Sequence, residues 1–306
     1  MAEETKEQKP SVFANVINFY DKNQKKLMII TFVMLILFLG ILAHSKLTTG
    51  EFIGKDITLS GGLLITVRTD QTFDTQTLAQ QLESELGVSA NVKELRALSG
   101  GSIGYAIELE KVSGQDALNA IEKTTGSQLE EGSYTIEDQS AGFGSSFWNS
   151  AVKAILLAFL FMSIVVFLYF RVPIPSAAII LCGFSDVLGT VAIMNLLGMK
   201  LSTGGIAALL MLIGYSVDTD ILLSAKLLKQ KDKDINEQIH ASIKTGLTMQ
   251  TTAIAALAAL WILTPATILK QIASILIIGL FMDIAFTWIQ NVGILRWYLE
   301  RKEKHG

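Results

Sequence analysis

Four aspartates interrupt the apolar stretches in the second half of the chain: Asp186, Asp218, Asp220 and Asp283. A charged carboxylate inside a bilayer costs about 2.5 to 3.5 kcal/mol, so such residues normally face a bundle interior or a water-filled cavity, where they mark a path for protons, ions or substrate. The four residues therefore predict a membrane protein that moves protons or ions. The alternative is that these carboxyls only join helices through hydrogen bonds.

Asp218 and Asp220 point to different sides of one predicted helix, because two residues at about 100° each separate their directions by about 200°. We therefore expect different roles for them. Asp218 stacks over Gly214, whose missing side chain lets another helix approach closely. Asp220 shares a helix face with Ser216 and Ser224.

A polar stripe lies on the next apolar stretch, where Lys244, Thr248 and Thr251 or Thr252 recur at helical spacing. An ammonium and a carboxylate on facing helices could form a titratable pair that protonation of the acid would break. Lys244 is thus a candidate partner of Asp218. The alternative is that Lys244 anchors its helix at the membrane surface.

The sequence offers few residue patterns typical of the catalytic, metal-binding or nucleotide-binding sites of soluble proteins. His44, His240 and His305 have no ligand spacing between them, and Cys182 is the single cysteine. No nucleophile motif, Walker loop or dinucleotide fingerprint follows a suitable strand. We predict no enzymatic reaction, no metal, no cofactor and no nucleic-acid partner.

The composition is that of a membrane protein. Half of the residues are hydrophobic and 17% are charged, whereas a soluble domain carries about 25% charged residues. Six apolar runs are candidates for spanning helices, which need about 17 to 25 residues: residues 27–43, 151–170, 176–197, 201–224, 247–263 and 268–295. We predict six α-helices in the lipid bilayer, the first of them uncleaved.

The distribution of Lys and Arg predicts the orientation. Basic residues cluster before the first span, between the second and third, between the fourth and fifth, and after the sixth, which places both termini in the cytoplasm of a cell-membrane protein. The insert between the first two spans carries fifteen acidic and seven basic residues. It is therefore predicted to be extracytoplasmic.

The insert has a readable order of strands and helices. Strands are predicted over residues 62–67, 90–98, 103–110 and 134–137, and helices over 75–86 and 114–124. Asp74 and Ser113 stand at helix-cap positions. The order β-α-β-β-α-β predicts an α+β ferredoxin-like domain.

The motifs resemble those of the SecF family of protein-export membrane proteins, part of the resistance-nodulation-division (RND) class. Gly54-Lys55-Asp56 followed by Gly61-Gly62 is similar to the family's element after the first helix. Ser185-Asp186-Val187 is similar to its third-helix motif. Residues 214–224, GYSVDTDILLS, are similar to its fourth-helix signature, which begins at Gly214 and is the most specific of the three; its DTDILL part resembles the archaeal branch.

The resemblance implies an RND half-unit that pairs with SecD, associates with the SecYEG translocon and couples the proton gradient to late movement of a translocating polypeptide. It also implies that Asp218, which matches an aspartate of SecD, is a better coupling candidate than Asp220. The chain departs from the family pattern at Ser185, where a histidine is usual, and at Lys244, where an arginine is usual.

The predicted domains are a cytoplasmic segment 1–26, a helix 27–43, an extracytoplasmic domain 44–150, a five-helix bundle 151–295 and a cytoplasmic tail 296–306. Two other functions stay open. One is an RND-type half-transporter for a lipid or small molecule, and the other is a membrane receptor or scaffold without a transport cycle. The intramembrane acids favour transport.

Overall fold

The computed structural model describes residues 12–69, 71–96, 101–110, 112–130, 132–139, 141–229, 234–264 and 266–305. Residues 1–11 of the predicted N-terminal segment and residues 97–98 of the predicted second strand lie outside these ranges. In chain order the elements are α1 Val12–Thr49, α2 Ile57–Ser60, β1 Gly62–Val67, α3 Thr75–Leu86, β2 Ala90–Arg96, β3 Ser102–Leu109, α4 Gly114–Thr125, β4 Tyr134–Gln139, α5 Ala141–Phe170, α6 Pro173–Leu196, α7 Thr203–Lys229, α8 Ile235–Leu263, α9 Thr267–Ala285, a π-helical segment Phe286–Asn291, and α10 Val292–His305.

Six helices among the described residues are long and apolar enough to cross a membrane, as predicted. They are α1, α5, α6, α7, α8, and α9 continued through the π-helical segment into α10. Several are longer than the apolar runs: α1 has 38 residues and α8 has 29. Hydropathy marks only the part suited to hydrocarbon, whereas the hydrogen-bonded helix continues through polar residues at its ends.

The middle of the bundle is formed by α6, α7 and α9, which pack against one another, while α1, α5 and α8 flank them. Buried apolar residues such as Met194, Leu212 and Ile275 fill the contact region. On α1 and α5 large apolar side chains face outward, for example Leu37 and Leu168. Outward apolar faces suit a lipid environment and leave the polar residues of α6, α7 and α9 in the interior.

The insert forms one four-stranded antiparallel sheet in the order β2–β3–β1–β4. Its apolar core joins α3 and α4 to alternate strand residues, including Ile65, Leu82 and Ile107. The predicted helix caps are confirmed: Asp74 accepts a hydrogen bond from the N–H of Thr77, and Ser113 accepts one from the N–H of Asp116.

The family motif after α1 joins the insert to the bundle. The N–H of Asp56 donates to the carbonyl of Leu201 (2.8 Å), and the N–H of Leu201 donates to the carbonyl of Gly54 (2.7 Å). Gly61 has a φ of 82° and Gly62 a φ of 152°, and a Cβ at Gly62 would lie 2.4 Å from the carbonyl oxygen of Leu109. Glycine is therefore required where the chain turns into β1.

Candidate functional site: a buried carboxyl cluster

Three of the four predicted aspartates come together in the middle of the bundle. Asp186 lies on α6, Asp220 on α7 and Asp283 on α9, and all three are fully buried. Asp218 does not join them: it is exposed on the outer side of α7. The predicted separation of Asp218 and Asp220 on the helix is thus observed, and Asp220 is the residue that faces inward.

The hydroxyl of Thr287 connects two of the carboxyls. Its Oγ1 lies 2.9 Å from Oδ1 of Asp220 and 2.7 Å from Oδ1 of Asp283. A hydroxyl has one hydrogen, so it cannot give a full hydrogen bond to both oxygens. Two good bonds form only when one carboxyl carries a proton and donates it to Thr287. The geometry therefore suits a proton held by this pair.

Side-chain amides and a hydroxyl complete the cluster. Asn291 donates to Oδ1 of Asp220 (2.7 Å), and Ser216 donates to Oδ2 of Asp186. Gln250 on α8 donates to Oδ2 of Asp283, and its own Oε1 accepts from Nε1 of Trp288 (3.0 Å). Donors that fix each carboxyl allow it to change protonation while its position is maintained.

The π-helical segment supplies several of these groups. Phe286, Thr287, Trp288, Gln290 and Asn291 are all buried within it. A π-helix has more residues per turn than an α-helix and is often found at functional sites. Here the segment carries Thr287 and Asn291, whose side chains both form hydrogen bonds with Asp220 inside the bundle.

The cluster has acidic groups and no counter-charge. Among the described residues, no Lys, Arg or His side chain forms an ion pair with Asp186, Asp220 or Asp283. Oδ1 of Asp186 and Oδ2 of Asp220 accept no hydrogen bond from the described protein. Like charges at short range in a medium of low dielectric constant repel strongly, and proton binding removes that repulsion.

The predicted pairing of Asp218 with Lys244 does not occur within the chain. Both side chains are exposed, and no ion pair or hydrogen bond joins them. Thr248, Thr251 and Thr252 are also exposed on α8; the hydroxyls of Thr248 and Thr252 donate to carbonyls of their own helix. The helical spacing of residues shows which of them share a face, but it does not show which face of a helix packs against neighbouring helices.

Sequence reasoning missed Thr287, Asn291, Gln250 and Trp288. A signal existed for the first two, because Asp283, Thr287 and Asn291 follow each other at four-residue steps in an apolar stretch. Gln250 stands among the threonines of the polar stripe and gave no separate signal. In the described part of the chain no group of three or more His, Cys, Asp or Glu residues has a metal-holding arrangement.

A family profile and two curated relatives are described as protein-export membrane proteins. Residues 118–301 match the family profile "Protein export membrane protein SecD/SecF, C-terminal". The chain is 37% identical over 287 residues to the protein-export membrane protein SecF of Pyrococcus furiosus. This alignment covers 92% of this chain and 94% of that protein. It is 40% identical over 265 residues to SecF of Methanocaldococcus jannaschii, covering 81% of this chain and 88% of the relative.

A solved structure has a similar fold. The crystal structure of SecDF, a translocon-associated membrane protein from Thermus thermophilus, matches 93% of this chain with a TM-score of 0.71 and 19% sequence identity. The matched region is 38% of that longer chain. The chain thus corresponds in fold to about two fifths of a larger membrane protein.

Proposed function

The chain belongs to the SecF family of protein-export membrane proteins, and on that premise we propose that proton binding at its buried carboxyl cluster drives late steps of polypeptide translocation. Its role in Sec protein export follows from the family. The observation that carries the proton-coupling proposal is the placement of Asp220 and Asp283 on either side of the single Thr287 hydroxyl. No buried cation offsets their charge among the described residues.

The cycle uses the difference between the Asp220–Asp283 pair with one bound proton and the same pair without it. With a proton bound, Thr287 links α7 to the π-helical segment. Loss of the proton leaves like charges on α7 and α9, and the helices repack to separate them. One charge moved through a membrane potential is worth about 2.3 kcal/mol per 100 mV, which is enough to shift a two-state equilibrium.

Backbone pairing offers a route from the cluster to the insert. Asp220 is on α7, which begins at Thr203, two residues after Leu201. Leu201 pairs with Gly54 and Asp56 at the base of the insert. A displacement of the outer end of α7 therefore reaches the insert without a flexible linker. This path supports a mechanism in which proton exchange moves the insert.

We also propose that both termini are cytoplasmic and that the insert is extracytoplasmic. The Lys and Arg residues concentrated at the termini and in alternate connections between the spanning helices favour this orientation. The strand order β2–β3–β1–β4, with both helices on one face, supports its assignment as a ferredoxin-like domain. The proposed divisions remain residues 1–26, 27–43, 44–150, 151–295 and 296–306.

SecD is the proposed partner, and it packs on a surface that we name the α7–α8 face. This face consists of Met211, Gly214, Tyr215 and Asp218 on α7 with Lys244, Thr248 and Thr252 on α8, all of them exposed. A carboxyl in a spanning helix is costly against lipid, so Asp218 calls for a polar group of a neighbouring subunit. SecYEG and the translocating polypeptide are further proposed partners.

Gly214→Leu tests this surface. A Cβ at Gly214 would meet nothing within 4 Å in the chain itself, so the variant should fold. The larger side chain should block close approach of the partner helix and lower recovery of the complex with co-expressed SecD by about tenfold or more. The measurement is the amount of SecD retained on the tagged, purified chain.

Gly40→Leu is the matched control, because Gly40 also lies on a spanning helix and its Cβ would also meet nothing within 4 Å. It should leave the complex intact. Loss of SecD with Gly40→Leu and retention with Gly214→Leu would place the interface on α1.

Export in reconstituted vesicles tests the coupling proposal. Vesicles that contain SecYEG, SecD and this chain should complete translocation faster with an imposed proton gradient than after an ionophore collapses it. A receptor or scaffold would give equal rates under the two conditions. Replacing the proton gradient with a Na⁺ gradient distinguishes the two coupling ions.

A further inference from the structure

A cleft of about 560 Å³ lies between the insert and the ends of the spanning helices. One wall is the face of the sheet opposite α3 and α4, where Leu64 and Ala106 line the cleft. The other wall comprises the connection between α6 and α7, including Met199, and the first turns of α9, including Ile268. None of the three carboxyls of the buried cluster lines this cleft.

The charged residues lining the cleft are three lysines and two acids: Asp56, Lys93, Glu108, Lys200 and Lys270. Lys93 and Glu108 neutralise each other through a direct ion pair, and Asn91 donates to the second oxygen of Glu108 (2.9 Å). In the part of the chain that the structure describes, Lys200 and Lys270 form no ion pair. The cleft therefore carries a positive charge that its own residues leave unmatched.

Asp56 reduces this positive charge only partly. Its side chain is 10% exposed and its Oδ1 has no hydrogen-bond partner among the described residues. Burial raises the pKa of Asp56 above its ordinary value, nearby Glu108 raises it further, and Lys93, 3.8 Å away, opposes the rise. A protonated Asp56 presents an O–H donor and no charge.

The cleft continues into apolar surface of the spanning helices. Ile268 and Leu269 at the start of α9 are 54% and 42% exposed, and Trp261 near the end of α8 is 48% exposed. The ammonium of Lys270 lies 6.0 Å from the centre of the Trp261 ring. Tryptophan and lysine together are typical of the level where lipid headgroups meet hydrocarbon.

The start of α9 adds to the attraction for anions. Its N-cap residue is Ala266, which has no side chain able to accept from the first N–H groups. The positive end of the helix dipole therefore points to the end of the cleft where Lys270 lies.

We propose that this cleft binds the phosphate headgroup of an anionic membrane lipid, held by Lys200 and Lys270, with the acyl chains along Ile268, Leu269 and Trp261. The unmatched positive charge selects an anion, and the adjoining apolar surface selects a lipid over a soluble phosphate. The bound lipid bridges the insert and the bundle.

Native mass spectrometry of the full-length protein tests the proposal, with phosphatidylglycerol and phosphatidylcholine as probes. We expect preferential retention of phosphatidylglycerol, which Lys200→Gln with Lys270→Gln weakens by about 10- to 30-fold, since each lysine contributes about 1 kcal/mol. Lys200→Arg with Lys270→Arg keeps the charges and should retain the lipid. Equal retention by wild type and the glutamine variant would overturn the proposal.

Lys46→Gln with Lys153→Gln is the control, because both lysines lie on spanning helices and neither lines the cleft. This variant should bind phosphatidylglycerol like the wild type, and an equal loss in it would overturn the proposal. Displacement of the lipid by inorganic phosphate at the same concentration would identify a soluble-anion site instead. Displacement by an unstructured peptide would identify a polypeptide site instead.

The effect of pH gives a second readout. Asp56 faces Lys93 and Glu108, with Lys200 and Lys270 lining the same cleft. Protonation of Asp56 at lower pH removes a negative charge, so phosphatidylglycerol should bind more tightly as the pH falls. Asp56→Asn should bind tightly throughout and abolish that pH dependence. An unchanged pH dependence in Asp56→Asn would contradict the assigned position of the headgroup.

Discussion

Asp220→Asn is expected to reduce the gradient-dependent part of export by about 100-fold or more, the scale of losing a residue that transfers protons. The amide has the shape of the carboxyl and still accepts from Thr287 and Asn291, but it cannot take up or release a proton. The protein should therefore fold and assemble with SecD. The measurement is the translocation rate in vesicles with and without the proton gradient.

Asp218→Asn is the matched control, since it removes a carboxyl from the same helix two residues away. It should keep most of the gradient response, because Asp218 is exposed and lies outside the buried cluster. The family resemblance favoured Asp218 for coupling, whereas the contacts favour Asp220. If Asp218→Asn abolished the response and Asp220→Asn preserved it, the buried cluster would be structural.

Gly246→Ala is expected to damage both stability and coupling. A Cβ at Gly246 would lie 2.1 Å from Cζ2 of Trp288 and 2.6 Å from Cη2. The indole ring is rigid and buried, so it must move, and its hydrogen bond to Gln250 is lost. Gln250 then no longer holds Asp283 in place. We expect destabilisation of about 1 to 3 kcal/mol, typical of overpacking, together with a weakened gradient response.

Gly40→Ala controls for the general effect of replacing a glycine in a spanning helix, because a Cβ there would meet nothing within 4 Å. It should leave thermal stability and export unchanged. Wild-type stability and gradient response in Gly246→Ala would show that the contact of Trp288 with Gln250 is dispensable.

Local patterns in the sequence predicted much of the fold. The helix Thr75–Leu86 has the predicted bounds, because Asp74 caps its start and Gly87, with a φ of 67°, ends it. The apolar runs predicted six spanning helices, but hydropathy did not predict that α8 begins at Ile235 rather than near residue 247. Helix ends outside the hydrocarbon depend on caps and packing that hydropathy does not measure.

The site was only partly predictable. The free-energy cost of placing a carboxylate in hydrocarbon identified all four aspartates as candidates. Helix geometry showed that Asp218 and Asp220 point to different sides of their helix. Which of the two faces the bundle depends on the packing of α7 against α6 and α9, and both sides of α7 carry small and apolar residues. The four-residue spacing of Asp283, Thr287 and Asn291 was visible in the sequence, whereas the π-helical segment that contains Thr287 and Asn291 has no simple sequence signature and emerged only from the structure.

Contacts between distant segments were beyond sequence reasoning. The pairing of Gly54 and Asp56 with Leu201 joins residues nearly 150 positions apart, and the glycine-containing motif gave no sign of its partner. The cleft between the sheet and α9 depends on this pairing. Its lysines, Lys200 and Lys270, were visible in the sequence only as basic residues in two separate connections.

The most direct test of proton exchange at the cluster is infrared difference spectroscopy of the full-length protein in lipid vesicles between acidic and alkaline pH. Proton exchange predicts a carbonyl band of protonated carboxyl groups that disappears as the pH rises and is diminished in Asp220→Asn and in Asp283→Asn. A spectrum without such a titrating band, or an identical band in the wild type and both variants, would contradict it.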